Sequence, residues 1–171
     1  MLWLELFFNV AEVMASKSKD PSTKVGCVIA GPDNEIRTSG YNGFPRGCDD
    51  SKHMNTREEK LMWTEHAERN AIYNAARCGI SLIGCSAFVT SPPCVECTRA
   101  LIQSGVRKIF YLVPGGHEFY GFMDRWKDSV NSSKAMCLEC GVFLYFVQKH
   151  EGGYRNPVLH KPEDTGEMTD D

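Results

Sequence analysis

Residues 87–113 read AFVTSPPCVECTRALIQSGVRKIFYLV, and this stretch decides the architecture. Ala87 to Thr90 is a short aromatic and β-branched run with strand character. Ser91-Pro92-Pro93 turns the chain, and Cys94 to Ser104 follows as a helix stopped by Gly105. Lys108 to Val113 is the next strand. A strand, a helix and a second strand form a βαβ unit, which places parallel strands beneath a covering helix.

The same reading extends in both directions. Downstream, Phe119, Phe122, Met123, Trp126 and Val130 form a helical stripe read as a core face, and Val142 to Val147 is a last strand. Upstream, Glu65 to Cys78 is a helix capped by Gly79, with Ala67, Ala71, Ile72 and Ala75 as a packing face. Lys24–Ala30 and Glu35–Tyr41 are strands joined by the turn Gly31-Pro32-Asp33-Asn34. Trp3, Leu6, Phe7, Val10, Val13 and Met14 have helical spacing and give an amphipathic first helix. The order α-β-β-α-β-α-β-α-β predicts a three-layer α/β/α fold. Its centre is a five-stranded mixed sheet with an antiparallel first hairpin. One domain is expected over 1–150, with an irregular polar insertion at about 48–62. Residues 151–171 read as a polar, acidic and poorly ordered tail.

Composition narrows the function classes. The 171 residues are 42% hydrophobic with a formal net charge of −3, which suits a globular domain. That charge supplies no broad basic surface for a nucleic-acid polymer, although a few basic groups suffice for a small anion. Glu5 and Glu12 interrupt the apolar N-terminal run, and no basic residue precedes it, so it does not read as a secretory signal. No stretch is long and apolar enough for a membrane span, and a cytoplasmic location is expected. Eight cysteines without a secretion signal point to metal binding more than to disulfides.

Three of the chain's residues have metal-ligand spacing. His66 opens one helix, while Cys94 and Cys97 share one face in the first turn of the next. Pro93 preorganises that helix start, whose free N–H groups favour thiolate. Two thiolates and an imidazole are three protein ligands, the count of a catalytic zinc site that keeps a position for water. Glu68, two residues after His66, is placed to move protons beside that water. The order His66-Ala67-Glu68 then Pro93-Cys94-Val95-Glu96-Cys97 resembles the H-x-E and P-C-x-x-C signature of zinc deaminases.

The likeness extends over residues 24–147. KVGCVIA (24–30), SGYNGFPRGC (39–48), EHAERNAIYNAARCG (65–79), VTSPPCVECTRALIQSGVRKIFY (89–111) and CGVFLYF (140–146) resemble the deoxycytidylate (dCMP) deaminase family. The resemblance implies hydrolysis of dCMP to dUMP and ammonia for thymidine nucleotide synthesis, with one catalytic Zn2+ per chain and Glu68 as proton shuttle. It implies substrate contacts from Asn42, Ala67, Thr90 and Ser91, with Lys24 or Arg46 as candidates for the phosphate and Arg46 preferred. It also implies a homohexamer activated by dCTP with Mg2+ and inhibited by dTTP. Tyr41, Gly43, Asn70, Asn74 and Arg77 are the effector-region candidates. Two departures bear on this. Asn74 stands where a relative has an aromatic residue, and Thr64 stands where some relatives have a glutamate associated with a second, structural zinc. Cys48 and His53 remain from that site without an evident four-ligand set.

Other readings compete. Cys137 and Cys140 form another C-x-x-C, but the gap to Cys97 far exceeds the ~15–20 residues of a zinc ribbon, so they are expected to pack at a helix end. Cys27, Cys78 and Cys85 are expected to be buried, and His117, His150 and His160 to be on the surface or in loops. Lys52, Arg57 and Lys60 read as solvated charges or as a phosphate contact. A deaminase that also accepts dCTP, one acting on single-stranded DNA or transfer RNA, and a non-catalytic zinc module are the alternatives to a dCMP deaminase.

Overall fold

The computed structural model describes residues 1–49 and 57–161. Lys52, His53 and the acidic end from 162 onward lie outside them, as does the side chain of Arg57. The elements run α1 (Trp3–Ala15), β1 (Gly26–Ala30), β2 (Ile36–Tyr41), α2 (Arg57–Trp63), α3 (Ala67–Cys78), β3 (Ser86–Val89), α4 (Val95–Gln103), β4 (Lys108–Pro114), α5 (Glu118–Glu139), β5 (Phe143–His150), β6 (Gly153–Tyr154) and β7 (Val158–Leu159). The predicted elements are present, most with boundaries shifted by one to three residues and α5 extended well past its stripe, but α2 is an additional helix, lying in the stretch read as an irregular insertion.

The sheet has the order β2-β1-β3-β4-β5-β6, with β7 also paired to β5. β3, β4 and β5 are parallel, while β1 is antiparallel to both β2 and β3. Among the described residues seven strands therefore replace the expected five. The two additions are short pairings along β5, where Lys149 faces Tyr154 and Tyr145 faces Leu159. The chain from 151 to 161 thus covers the edge of the sheet rather than leaving the domain at 150. Covering an edge removes a row of unpaired backbone groups.

Side chains alternate across the sheet. Cys27, Ile29, Ala87, Val89, Ile109, Tyr111 and Leu144 pack in a core with Ala67, Ala71 and Ala75 of α3, Leu101 of α4 and Cys137 of α5. Val28, Ala30, Phe88, Leu112 and Val147 pack with Phe7, Phe8 and Ala11 of α1. Phe88, Phe110 and Tyr145 stack side by side across β3, β4 and β5 at centroid spacings of 4.9 and 4.6 Å. These two cores are the outer layers of the α/β/α sandwich.

The helix that carries His66 and Glu68 lies tight on β2. A Cβ on Gly40 would meet the Ala67 carbonyl at 2.4 Å and the Ala71 amide at 2.5 Å, so only glycine permits this approach. Small alanines on α3 serve the same purpose from the other side. Cys27 and Cys85 are buried as expected, but Cys78 is exposed on the outer side of the last turn of α3. Cys137 is buried in the core and Cys140 caps α5 exposed. His150 and His160 are more enclosed than expected. The His150 Nε2 is buried without a hydrogen-bond partner among the described residues, and His160 bonds the Tyr111 hydroxyl at 2.7 Å.

Candidate metal centre and substrate cleft

His66 is the N-cap of α3 and Cys94 is the N-cap of α4. The cap positions bring both side chains to the same end of the sheet. Cys94 Sγ and Cys97 Sγ each lie 3.5 Å from His66 Nδ1. Tetrahedral zinc, with metal–sulfur and metal–nitrogen lengths of ~2.3 and ~2.1 Å, sets that separation at ~3.6 Å. The donor atoms all lie within 4.8 Å of one another, so their types and spacing fit one zinc ion. Among the described residues this is the sole group of three or more potential ligands so arranged. Cys48 is half-buried away from it.

The local electrostatics follow from helix ends and burial. The Cys97 thiol, the His66 ring and the Cys97 amide all bond Cys94, and together they hold its thiol down to about 3. The same bond to Cys94, reinforced by burial, pushes the Cys97 thiol up. Cys94 in turn holds the His66 imidazole above its ordinary value. Glu68 is 3% exposed. Burial raises its carboxyl above the usual glutamate value, and its own backbone amide and the His66 charge offset this only in part.

Polar contacts outside the motif hold the two helix starts together. Arg69 bonds Glu65, just ahead of the α3 N-cap, and Glu96 in the first turn of α4, the latter at 2.5 Å. Thr98 donates to Ser133 Oγ at 3.0 Å, and Ser133 donates to the Pro93 carbonyl at 3.2 Å. Both hydroxyls are buried, which makes α5 a support for the P-C-x-x-C turn. Gly43 and Glu65 exchange backbone hydrogen bonds of 3.0 and 2.8 Å, so the GYNG loop is tied to the residue before His66.

A cleft of about 800 Å3 opens over these groups. His66, Ala67, Glu68, Ser91, Pro92 and Cys94 line it on the metal side, and Asp20, Ser22, Thr23, Asn42, Lys60 and Thr64 line it elsewhere. The structure therefore gathers His66, Glu68, Cys94, Asn42, Ala67 and Ser91 at one cleft, with Cys97 buried beneath. Asn42 is 6% exposed, and its amide accepts from Val25 N and donates to Thr23 O, both at 2.8 Å. Thr90 accepts from Gly26 N at 3.0 Å and ties β1 to β3.

The remaining candidates are placed differently. Lys24 is exposed and is not among the described residues lining the cleft. Arg46 bonds Asn74 and lines a smaller adjoining pocket of about 260 Å3 with Tyr41, Gly43, Lys17 and Lys19. Asn70 donates to the Tyr41 carbonyl and Asn74 to the Ser39 carbonyl, both at 2.8 Å, which fastens α3 to β2. Arg77 is exposed in the last turn of α3. Sequence reasoning missed Asp20, Ser22, Leu61 and Trp126 as cleft residues. It placed Lys60 only among several alternatives, and no local pattern distinguished Trp126 from its core neighbours.

A His/Cys/Cys donor set with a buried glutamate lining the same cleft, on an α/β/α sheet, has the composition of a zinc deaminase site. Residues 1–113 match the family model for the cytidine and deoxycytidylate deaminase zinc-binding region, and the chain belongs to this family of deaminases. The deoxycytidylate deaminase of Homo sapiens is 38% identical over 154 residues, covering 86% of this chain and 81% of that protein. An uncharacterised deaminase from the luxG 3′ region of Aliivibrio fischeri is 41% identical, covering 82% of this chain and 90% of that one. A probable deoxycytidylate deaminase of Caenorhabditis elegans is 46% identical over a shorter match, 62% of this chain and 55% of that protein. The dCMP deaminase of cyanophage S-TIM5 shares the fold, with a TM-score of 0.64 at 24% identity over 86% of this chain and 96% of that one. No helix among the described residues is long and apolar enough to cross a membrane.

Proposed function

We propose that this chain hydrolyses dCMP to dUMP and ammonia, with Glu68 carrying the protons. The observation that carries this reading is the enclosed Glu68 carboxyl lining the same cleft as the His66 and Cys94 donors. A zinc ion held by His66, Cys94 and Cys97 would supply a nucleophilic water at neutral pH. Glu68, with its proton affinity raised by burial, would carry the two protons that hydrolysis moves from the attacking water, the first to the ring nitrogen and the second to the departing C4 amino group. Atoms balance as cytosine plus water giving uracil plus ammonia.

The deoxycytidylate deaminases among the relatives support a mononucleotide substrate. Within the cleft, Lys60, which also bonds Asp20 and Ser22 Oγ, is the sole lysine or arginine among the described lining residues and the candidate for a 5′-phosphate contact. Asn42 holds the strand entry that shapes the sugar side. The smaller pocket, with Lys17, Lys19, Arg46 and Lys60 against the single carboxylate Asp20 on its walls, is net positive and suits an anionic nucleotide. That charge supports regulation by dCTP and dTTP. A homohexameric assembly belongs to the same reading.

Turnover of dCMP compared with single-stranded DNA and transfer RNA tests the proposal. Conversion of the free nucleotide is expected. Conversion of a polymer alone would overturn it.

A further inference from the structure

Ser133 is a polar residue in the buried face of α5, between Val130 and Cys137, and it is 1% exposed. Its hydroxyl accepts from Thr98 Oγ1 at 3.0 Å and donates to the Pro93 carbonyl at 3.2 Å. A serine hydroxyl has one proton to give, so the two bonds run in one direction, from Thr98 through Ser133 to Pro93. Pro93 is the residue before Cys94, and Thr98 is the residue after Cys97. One side chain of α5 therefore holds both flanks of the segment that carries the two sulfur donors.

Local structure leaves both partners open to it. The Pro93 carbonyl lies ahead of the N-cap of α4, and the helical bonds begin one residue later, with Thr98 N to the Cys94 carbonyl at 2.9 Å. The Pro93 oxygen thus has no donor within its own helix. Thr98 is fully buried. A threonine hydroxyl inside a helix can turn back to the carbonyl four residues earlier, but this one crosses to α5 instead. Buried hydroxyls and carbonyls are costly to leave unpaired, so the three groups hold one another in a single arrangement. Hydrogen bonds give this contact a direction that apolar packing lacks.

We propose that Ser133 is a positioning residue of the metal centre, clamping the P-C-x-x-C segment so that Cys94 and Cys97 keep their spacing to His66. It acts through Pro93 and Thr98 rather than by bonding a sulfur. The proposal rests on the zinc reading of the donor set, and its test does not depend on the choice of substrate.

Zinc affinity of the folded, zinc-stripped protein is read by competition with a chromophoric chelator. Donor geometry is read from the visible absorption bands of the Co2+-substituted protein. Ser133→Ala is expected to weaken zinc binding roughly 10-fold and to shift the cobalt bands. Thr98→Val removes one of the two bonds and is expected to lose less, while Thr98→Ser keeps the hydroxyl and is expected to match the wild type. In the zinc-loaded Ser133→Ala enzyme, kcat for dCMP is expected to fall with KM changed much less. A merely structural role would lower the unfolding temperature of Ser133→Ala and leave its zinc affinity and cobalt bands unchanged, and that result would overturn the proposal. Should Ser133→Ala not fold, Thr98→Val decides, and a wild-type zinc affinity in that variant would overturn the proposal equally. If the wild type bound zinc but failed to deaminate dCMP, the reading of the reaction would fall, and the zinc and cobalt measurements would still decide the role of Ser133.

Discussion

The Lys60 ammonium lies 2.8 Å from Asp20 Oδ1, joining residues 40 apart in the chain. The contact binds α2, inside the polar insertion, to the loop ahead of β1. Asp20 also accepts from Ser22 N at 2.8 Å, Ser22 Oγ at 2.9 Å and Thr23 N at 3.0 Å. One carboxylate thus shapes a whole wall of the cleft.

Burial alone would raise the Asp20 pKa, but the bonds from Lys60, Ser22 and Thr23 outweigh it and lower the carboxyl to about 2. A depressed folded value stabilises the protein above the unfolded pKa of about 4, and that stabilisation is lost as pH falls through about 2. Asp20→Asn should therefore cost about 2 kcal/mol at pH 7. Urea unfolding of the two proteins should show the gap narrowing as pH drops from 4 toward 2. A gap that stays constant across this range would refute the assignment.

Asn42 makes a second, independent prediction. Asn42→Ala leaves Val25 N and Thr23 O without their partner in a mostly buried place. The expected loss is about 1–3 kcal/mol, together with a higher KM. Asn42→Asp keeps the acceptor for Val25 N but sets a carboxylate oxygen against Thr23 O in a nearly buried place, and should be at least as destabilising as Asn42→Ala in a denaturant titration at pH 7.

Metal removal should act on the protein as well as on turnover. Zinc analysis is expected to give one ion per chain, lost on chelation and absent in Cys94→Ser. Because three separate attachment points converge on the ion, the chelated protein should unfold at a lower temperature, and added zinc should restore both stability and activity. A zinc-free chain with full activity would contradict the account.

Glu68→Ala separates chemistry from architecture. The donor set does not include this carboxylate, so zinc content should persist. Deamination should fall by a factor on the order of 10²–10⁴ or more.

The sequence disclosed this centre because its chemistry depends on short spacings. Cys94 and Cys97 had to share a helix face, and His66 and Glu68 had to open another. Periodicity revealed the longer strands and helices of residues 1–150 for the same reason, but not the seven-residue α2. The pairing of Gly153–Tyr154 and Val158–Leu159 with β5 was hidden, because two-residue strands carry no period and depend on an edge supplied elsewhere. Cys78 was misplaced because burial of a helix's last turn is set by what packs beside it. Trp126 follows the same stripe as its buried neighbours, and only the tertiary arrangement sets it over a cleft. The grip of Lys60 on Asp20 was invisible because it joins residues 40 apart in the chain, one of them on α2. Arg46 adjoins the GYNG loop in sequence, yet it points to Asn74 and the smaller pocket.

The central claim is tested most directly by ammonia release from dCMP, dCTP, deoxycytidine and CMP by the zinc-loaded protein, each with and without dTTP. The account predicts release from dCMP with the highest kcat/KM, abolished in Glu68→Ala while its zinc is retained. Preferred turnover of dCTP or deoxycytidine would contradict the mononucleotide assignment, and undiminished release by Glu68→Ala would contradict the mechanism.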